Sequence, residues 1–198
     1  MEKYPELKLI FASSNLNKIE EINRILPKAF TLYGLSEFGI TEDIPENGLT
    51  LEENALLKAQ YVHERTALNC FAEDSGLEVF ALNMEPGVFS ARYAGPQRSS
   101  EDNINLLLER LSNATNRKAR FRTIIVLIFE NKHYQFEGII EGQITLQRSG
   151  FSGFGYDPIF IPENGDKTFA ELSLDEKNVI SHRAIATKKM IDFLNQKI

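Results

Sequence analysis

Glu73 and Asp74 are the residues of this chain best placed to do chemistry. They stand in the run AEDSGL at residues 72–77, where the apolar run 68–72 gives way to a Ser-Gly pair. Read as a strand followed by a turn, this puts two carboxylates at the mouth of a strand. Strand ends and the loops after them carry much of the chemistry of α/β folds, and acids there can hold a cation over a cleft. A solvated turn uses Asp, Ser and Gly as well. The rest of the chain has to supply something for these acids to act on.

Two basic helix starts supply it. A strand over residues 7–12 is followed by Ser13, Ser14, Asn15 and Asn17, all good capping residues. Ile19, Ile22, Ile25 and Leu26 then recur at helical spacing, with Lys18 in the first turn. A cation there faces the positive end of the helix dipole. Glu20 and Glu21 can offset it on a solvated face, or a bound phosphate can use the lysine and the free N–H groups together. The last helix repeats the oddity. Ser181 can cap it, Ala186, Met190, Phe193 and Leu194 form its stripe, and His182 and Arg183 fall in its first turn. Two such starts in a net-acidic protein favour an anion of polyphosphate size. A third feature is SGFSGFGYDPIF at residues 149–160, whose glycines bring backbone close to a ligand while its aromatics present ring faces.

The elements that position these groups alternate between short strands and helices. Phe30–Tyr33 reads as an edge strand. Residues 37–47 are irregular and acidic, ending at Asn47-Gly48. Thr50 and Glu53 form a capping box for a helix with Leu51, Ala55, Ala59 and Val62 on one face, and Asn54 and Lys58 share a second face of it. Ser99 or Ser100 caps a helix with the stripe Ile104, Leu107, Leu108 and Leu111. Residues 121–129 read as a strand buried on both faces, and 134–146 as a second long strand in which Gly138 and Gly142 signal bends. Ser173 and Glu176 make another capping box, opening a short helical turn that contains Lys177.

Length and composition narrow the class. The 198 residues suit one domain or two small lobes. A formal net charge of −6 argues against a general nucleic-acid binder, which needs a basic face. No stretch approaches the ~20 apolar residues of a membrane span. Residues 1–14 lack the apolar region of a leader. The one cysteine, Cys70, lies in an apolar run and reads as a buried thiol in a reducing compartment. The expectation is a cytoplasmic protein that binds neither nucleic acid nor membrane.

Taken in order, seven motifs resemble those of the Ham1/RdgB-type inosine/xanthosine triphosphate pyrophosphatases: SSNLNK (13–18), ENGLTLEENA (46–55), AEDSGL (72–77), PGVFSARYAG (86–95), GFGYDPIF (153–160), TFAEL (168–172) and KNVISHR (177–183). The resemblance covers essentially the whole chain. Ser13 and Glu73 stand where that family more often has Thr and Asp. Phe80, Met84 and Phe151-Ser152 also depart from its commonest pattern. The resemblance implies an α/β fold of two lobes around a long mixed β-sheet with flanking helices, the active site in the inter-lobe cleft, and residues 1–198 forming a single two-lobed domain. It implies a homodimer that uses Mg²⁺ to cleave ITP, dITP or XTP to the monophosphate and pyrophosphate. By the same resemblance Asp74 is metal ligand and proton acceptor, and Glu46 is a second metal-associated carboxylate. Ser13, Ser14, Asn15 and Lys18 form the phosphate turn, Ser75 is a substrate contact, and Phe154, Gly155, Tyr156, Asp157, Lys177, His182 and Arg183 contact the nucleotide. Donors from Arg183, Lys177 or backbone N–H groups would meet the C6 oxygen of the base, and Phe154, or after it Tyr156, would stack on the purine. The nearest alternative is a Maf-like nucleotide pyrophosphatase with other preferred bases.

Overall fold

The structure, a computed structural model, describes residues 7–197. Parallel pairing dominates the first part of the chain. β1 (Leu7–Phe11) pairs in parallel with β2 (Phe30–Tyr33) and with β3 (Cys70–Val79). Parallel neighbours need crossover connections, and α1 (Leu16–Ile25) and α2 (Leu51–Thr66) supply them. Asn15 and Thr50 cap these helices, as their side-chain chemistry predicts. Beyond β3 the pairing becomes antiparallel: β4 (Glu85–Pro86) pairs with the end of β3, and β7 (Phe160–Pro162) with β6 (Lys132–Ile144). β5 (Lys118–Phe129) joins β6 through the turn Glu130-Asn131, both at positive φ. The result is a seven-stranded mixed sheet of order β2-β1-β3-β5-β6-β7, with β4 on β3 and β2 at an edge. α3 (Ser100–Arg110), α4 (Leu174–Ile180) and α5 (His182–Asn195) complete the fold.

The chain divides into two compact units. The first comprises residues 1–74, 123–138 and 183–198. Its core gathers Leu9, Phe11, Ile22, Phe71, Leu127 and Met190, with Phe11 and Phe71 stacked 4.7 Å apart. The second comprises residues 75–122 and 139–182. Its core gathers Leu77, Leu107, Phe121, Ile159, Phe160 and Phe169, and Phe121 meets Phe160 edge-on at 4.7 Å.

One predicted boundary is corrected. The strand does not end at Ala72; β3 runs unbroken through Glu73, Asp74, Ser75 and Gly76. Gly76 is there for close approach and not for a turn. A Cβ on it would lie 2.4 Å from the carbonyl oxygen of Gly87, which opens the 3₁₀ segment Gly87–Arg92. Ser90 finishes this junction: its hydroxyl accepts from Leu77 N–H at 2.9 Å and donates to Gly87 O at 2.6 Å.

Candidate active site

Because β3 is unbroken, neighbouring residues on it face opposite ways. Glu73 and Asp74 therefore have separate surroundings, although both are buried. Asp74 faces α2. Asn54 Nδ2 donates to its Oδ2 at 3.1 Å, and Lys58 Nζ to its Oδ1 at 3.3 Å. The same Lys58 ammonium lies 2.5 Å from Glu46 Oε1. Burial raises the Asp74 pKa above the ordinary aspartate value; Lys58 and Lys18 oppose that, and the nearby Glu46 charge adds to it. For Lys58 burial works the other way, but the charges of Asp74 and Glu46 prevail and raise its pKa.

Glu73 faces α1 and α5. Its carboxylate takes Arg183 Nε at 2.7 Å and Nη2 at 3.0 Å, and Lys18 Nζ at 2.9 Å. Arg183 also donates to Glu21. Burial alone would raise the Glu73 pKa, but the Arg183 and Lys18 charges hold it far below the usual carboxylate range. Two expectations change here. Lys18 is offset by Glu73; Glu20 instead pairs with Arg24, and Glu21 is buried against Arg183. Arg183 is fully buried and clasped by two carboxylates, so its guanidinium faces Glu73 and Glu21 where a base contact was expected.

The turn expected from sequence to hold phosphate lies at the start of α1. Ser13 Oγ accepts from Asn15 N–H, and Asn15 Oδ1 accepts from the N–H groups of Asn17 and Lys18. Ser14 and Asn15 are exposed, and Ser75 is half-buried on β3.

The second unit holds the other residues expected to contact the nucleotide, Phe154, Gly155, Tyr156, Asp157, Lys177 and His182. Gly153 and Gly155 both have positive φ. The glycine at 153 is required, because a Cβ there would lie 2.1 Å from Asp157 Oδ2. That oxygen folds back to accept Phe154 N–H at 2.8 Å and Lys177 Nζ at 2.7 Å. Lys177 lies 4.9 Å from the centre of the half-buried Phe154 ring. His182 stacks on Phe121 at 4.7 Å. Gly155 is half-buried. Tyr156 turns inward: it is 4% exposed, and its hydroxyl donates to Ser90 O at 3.0 Å. Its side chain braces the loop.

Asn54 and Lys58 were assigned no role from sequence, and Glu21 only that of offsetting Lys18. The only signal was the four-residue spacing of Asn54 and Lys58, which placed them on one face of α2.

Glu46 and Asp74 each direct a carboxylate to one ammonium, so the two can share a single positive charge. Two hard oxygen donors suit Mg²⁺, which takes one or two protein carboxylates beside water and phosphate oxygens. Among the described residues there is no group of three or more His, Cys, Asp or Glu that could hold a metal ion.

The chain is similar to known proteins over nearly its whole length. A dITP/XTP pyrophosphatase of Flavobacterium johnsoniae is 54% identical over 95% of this chain and 98% of its own length. One from Bacillus subtilis is 44% identical over 93% of this chain and 96% of its own. Among solved structures, the Ham1 protein of Staphylococcus aureus matches with a TM-score of 0.88 at 42% identity, covering 96% of this chain and 100% of that one. The Coxiella burnetii HAM1 protein matches with a TM-score of 0.89 at 37% identity, over 96% and 99% of the two chains. The Ham1 family model matches residues 9–193, and the chain belongs to the Ham1 family.

Proposed function

We propose that this protein hydrolyses non-canonical purine nucleoside triphosphates, namely ITP, dITP and XTP, to the monophosphate and pyrophosphate. The relatives' activity supports the substrate class. The observation that carries the site assignment is the Lys58 ammonium bridging Glu46 and Asp74. It marks the place where two carboxylates converge on a cation, and we assign Mg²⁺ to them. Mg²⁺, when bound, neutralises phosphate charge and lowers the pKa of coordinated water.

The chain's own groups do the rest. Asp74 orients a water and accepts its proton as the water oxygen bonds to the α-phosphorus. The bond from that phosphorus to the bridging oxygen breaks, and pyrophosphate leaves. Lys18 and the N-terminus of α1 hold phosphate oxygens, and Glu73 keeps the lysine ammonium in place. Lys177, oriented by Asp157, donates toward the C6 oxygen of hypoxanthine or xanthine. Adenine presents a donor there, and an unpaired buried donor costs about 1–3 kcal/mol. Phe154 supplies a ring face for the purine.

Product analysis on ITP tests the reaction. Pyrophosphate with IMP is expected; orthophosphate with IDP would overturn the site of attack. A panel adding XTP, dTTP and UTP separates this reading from a Maf-like one. Phe154→Ala is expected to raise KM for ITP on the order of tenfold, matching about 1–1.5 kcal/mol of lost aromatic contact, with little change in melting temperature. An unchanged KM removes the stacking role.

The family resemblance also supports a homodimer. The single cysteine, fully buried and with its thiol pushed up to about 12 by burial, suits a reducing cytoplasmic setting.

A further inference from the structure

Asn54 has no part in the chemistry assigned above, yet it is 1% exposed and its amide is engaged at both ends. Nδ2 donates to Asp74 Oδ2 at 3.1 Å, and Oδ1 accepts from Gly48 N–H at 2.8 Å. These neighbours fix which way the amide points, because a backbone N–H must face oxygen and a carboxylate must face the NH₂ group. Gly48 is two residues beyond Glu46. A Cβ at Gly48 would lie 2.8 Å from the same Oδ1 and 2.7 Å from Glu53 Cβ, so backbone is pressed against this side chain. Glu53 accepts from Leu49 N–H at 2.6 Å, and Thr50 caps Glu53 N–H at 3.1 Å. Residues 48–50 are thus tied to the first turn of α2. One turn on, Lys58 holds the other oxygen of Asp74.

We propose that Asn54 is a positioning residue for the hydrolysis: its one amide fixes Asp74 directly and Glu46 through the Gly48 backbone. The chemistry of the two contacts selects the residue type. Aspartate at this position would keep the acceptor and lose the donor. Leucine would keep the volume and lose both. The proposal rests on the assignment of Asp74 and Glu46 to the metal.

Two readouts test it: hydrogen exchange at the Gly48 amide in the metal-free protein, and Mg²⁺ titration of ITP hydrolysis, with Asp74→Asn run in parallel. In Asn54→Leu the Gly48 amide is expected to exchange at least about tenfold faster, and the half-maximal Mg²⁺ concentration to rise about 10–100-fold, as when support for a metal ligand is lost. In Asn54→Asp the Gly48 amide keeps its protection while kcat falls by about tenfold or more, with KM for ITP little changed. Should Asn54→Leu not fold, Asn54→Asp still tests the Asp74 contact. Wild-type Gly48 exchange in Asn54→Leu overturns the proposal. So does a wild-type kcat and Mg²⁺ midpoint in Asn54→Asp while Asp74→Asn is inactive. An active Asp74→Asn overturns the underlying site assignment instead.

Discussion

Replacing Asp74 with Asn is expected to lower turnover of ITP by at least about 10², the low end of general-base effects, with the fold intact. The substitution preserves shape and removes both the negative charge and the proton-accepting oxygen pair. Asn54 and Lys58 are both donors to Asp74, so an amide at 74 can satisfy one of them with its single oxygen. Lys58 retains Glu46 at 2.5 Å, which keeps the buried ammonium paired and the unit folded. Steady-state kinetics with a melting curve on the same preparation decide the matter. Near-wild-type turnover would refute Asp74 as the base, and a collapsed melting curve would make its role structural.

The largest effect on stability is expected at Arg183. Removing one partner of a buried ion pair leaves an uncompensated charge and costs about 3–5 kcal/mol. Here Arg183→Ala leaves Glu21 and Glu73 buried on the two sides of the vacated site, with only Lys18 still drawn to Glu73. For a protein of this size the melting temperature falls on the order of 10 °C. Arg183→Lys restores charge but not the two-pronged contact with Glu73, so it recovers part of the loss.

The pH dependence follows with a definite sign. The folded-state pKa of Glu73 is depressed, so its contribution is fully present above the unfolded value of about 4.3 and is lost as pH falls through the folded value. Without Arg183 that depression weakens, so less stability is lost across the acid range and the loss is complete at higher pH. Differential scanning calorimetry across the acid range reads both effects. If Arg183 instead read the base, the ratio of ITP to ATP hydrolysis would change while the melting temperature held.

What sequence made legible was local. The caps at Asn15, Thr50, Ser99 and Ser173 each rest on a side chain reaching two or three residues along the chain, and all four are where their chemistry predicts. The edge strand Phe30–Tyr33 and the buried run of β5 were legible for the same reason, because apolar pattern reports burial directly. The misses were contacts across long separations. Arg183 meets Glu73 at 110 residues' distance and Glu21 at 162. No spacing rule reaches that far, so Lys18 and Arg183 looked like cations waiting for an anion from outside. Gly76 was misread because a glycine serving close approach carries the same letter as one serving a turn. Its partner, Gly87, declares itself only when the chain has folded. Tyr156 sits in a ligand-like loop, yet its hydroxyl has a structural partner in Ser90.

The alternation of β3 also bears on which changes in chain length the fold can accept. Glu73 and Asp74 are adjacent, and one is clasped by Arg183 and Lys18 while the other meets Asn54 and Lys58. A deletion of a single residue upstream in the strand, with the pairing to β1 retained, would exchange their faces. Asp74 would take the place of Glu73 opposite Arg183, Ser75 would take the place of Asp74 opposite Lys58, and Glu73 would fall in the place of Ala72. The shorter Asp arm would meet the guanidinium, and Lys58 and Asn54 would face a hydroxyl where they now meet a carboxylate. Removing two residues would restore the parity of faces and instead slide both acids along the strand. This strand therefore ties the proposed site to counting: the protein can drift in composition around these acids far more readily than it can gain or lose a residue before them.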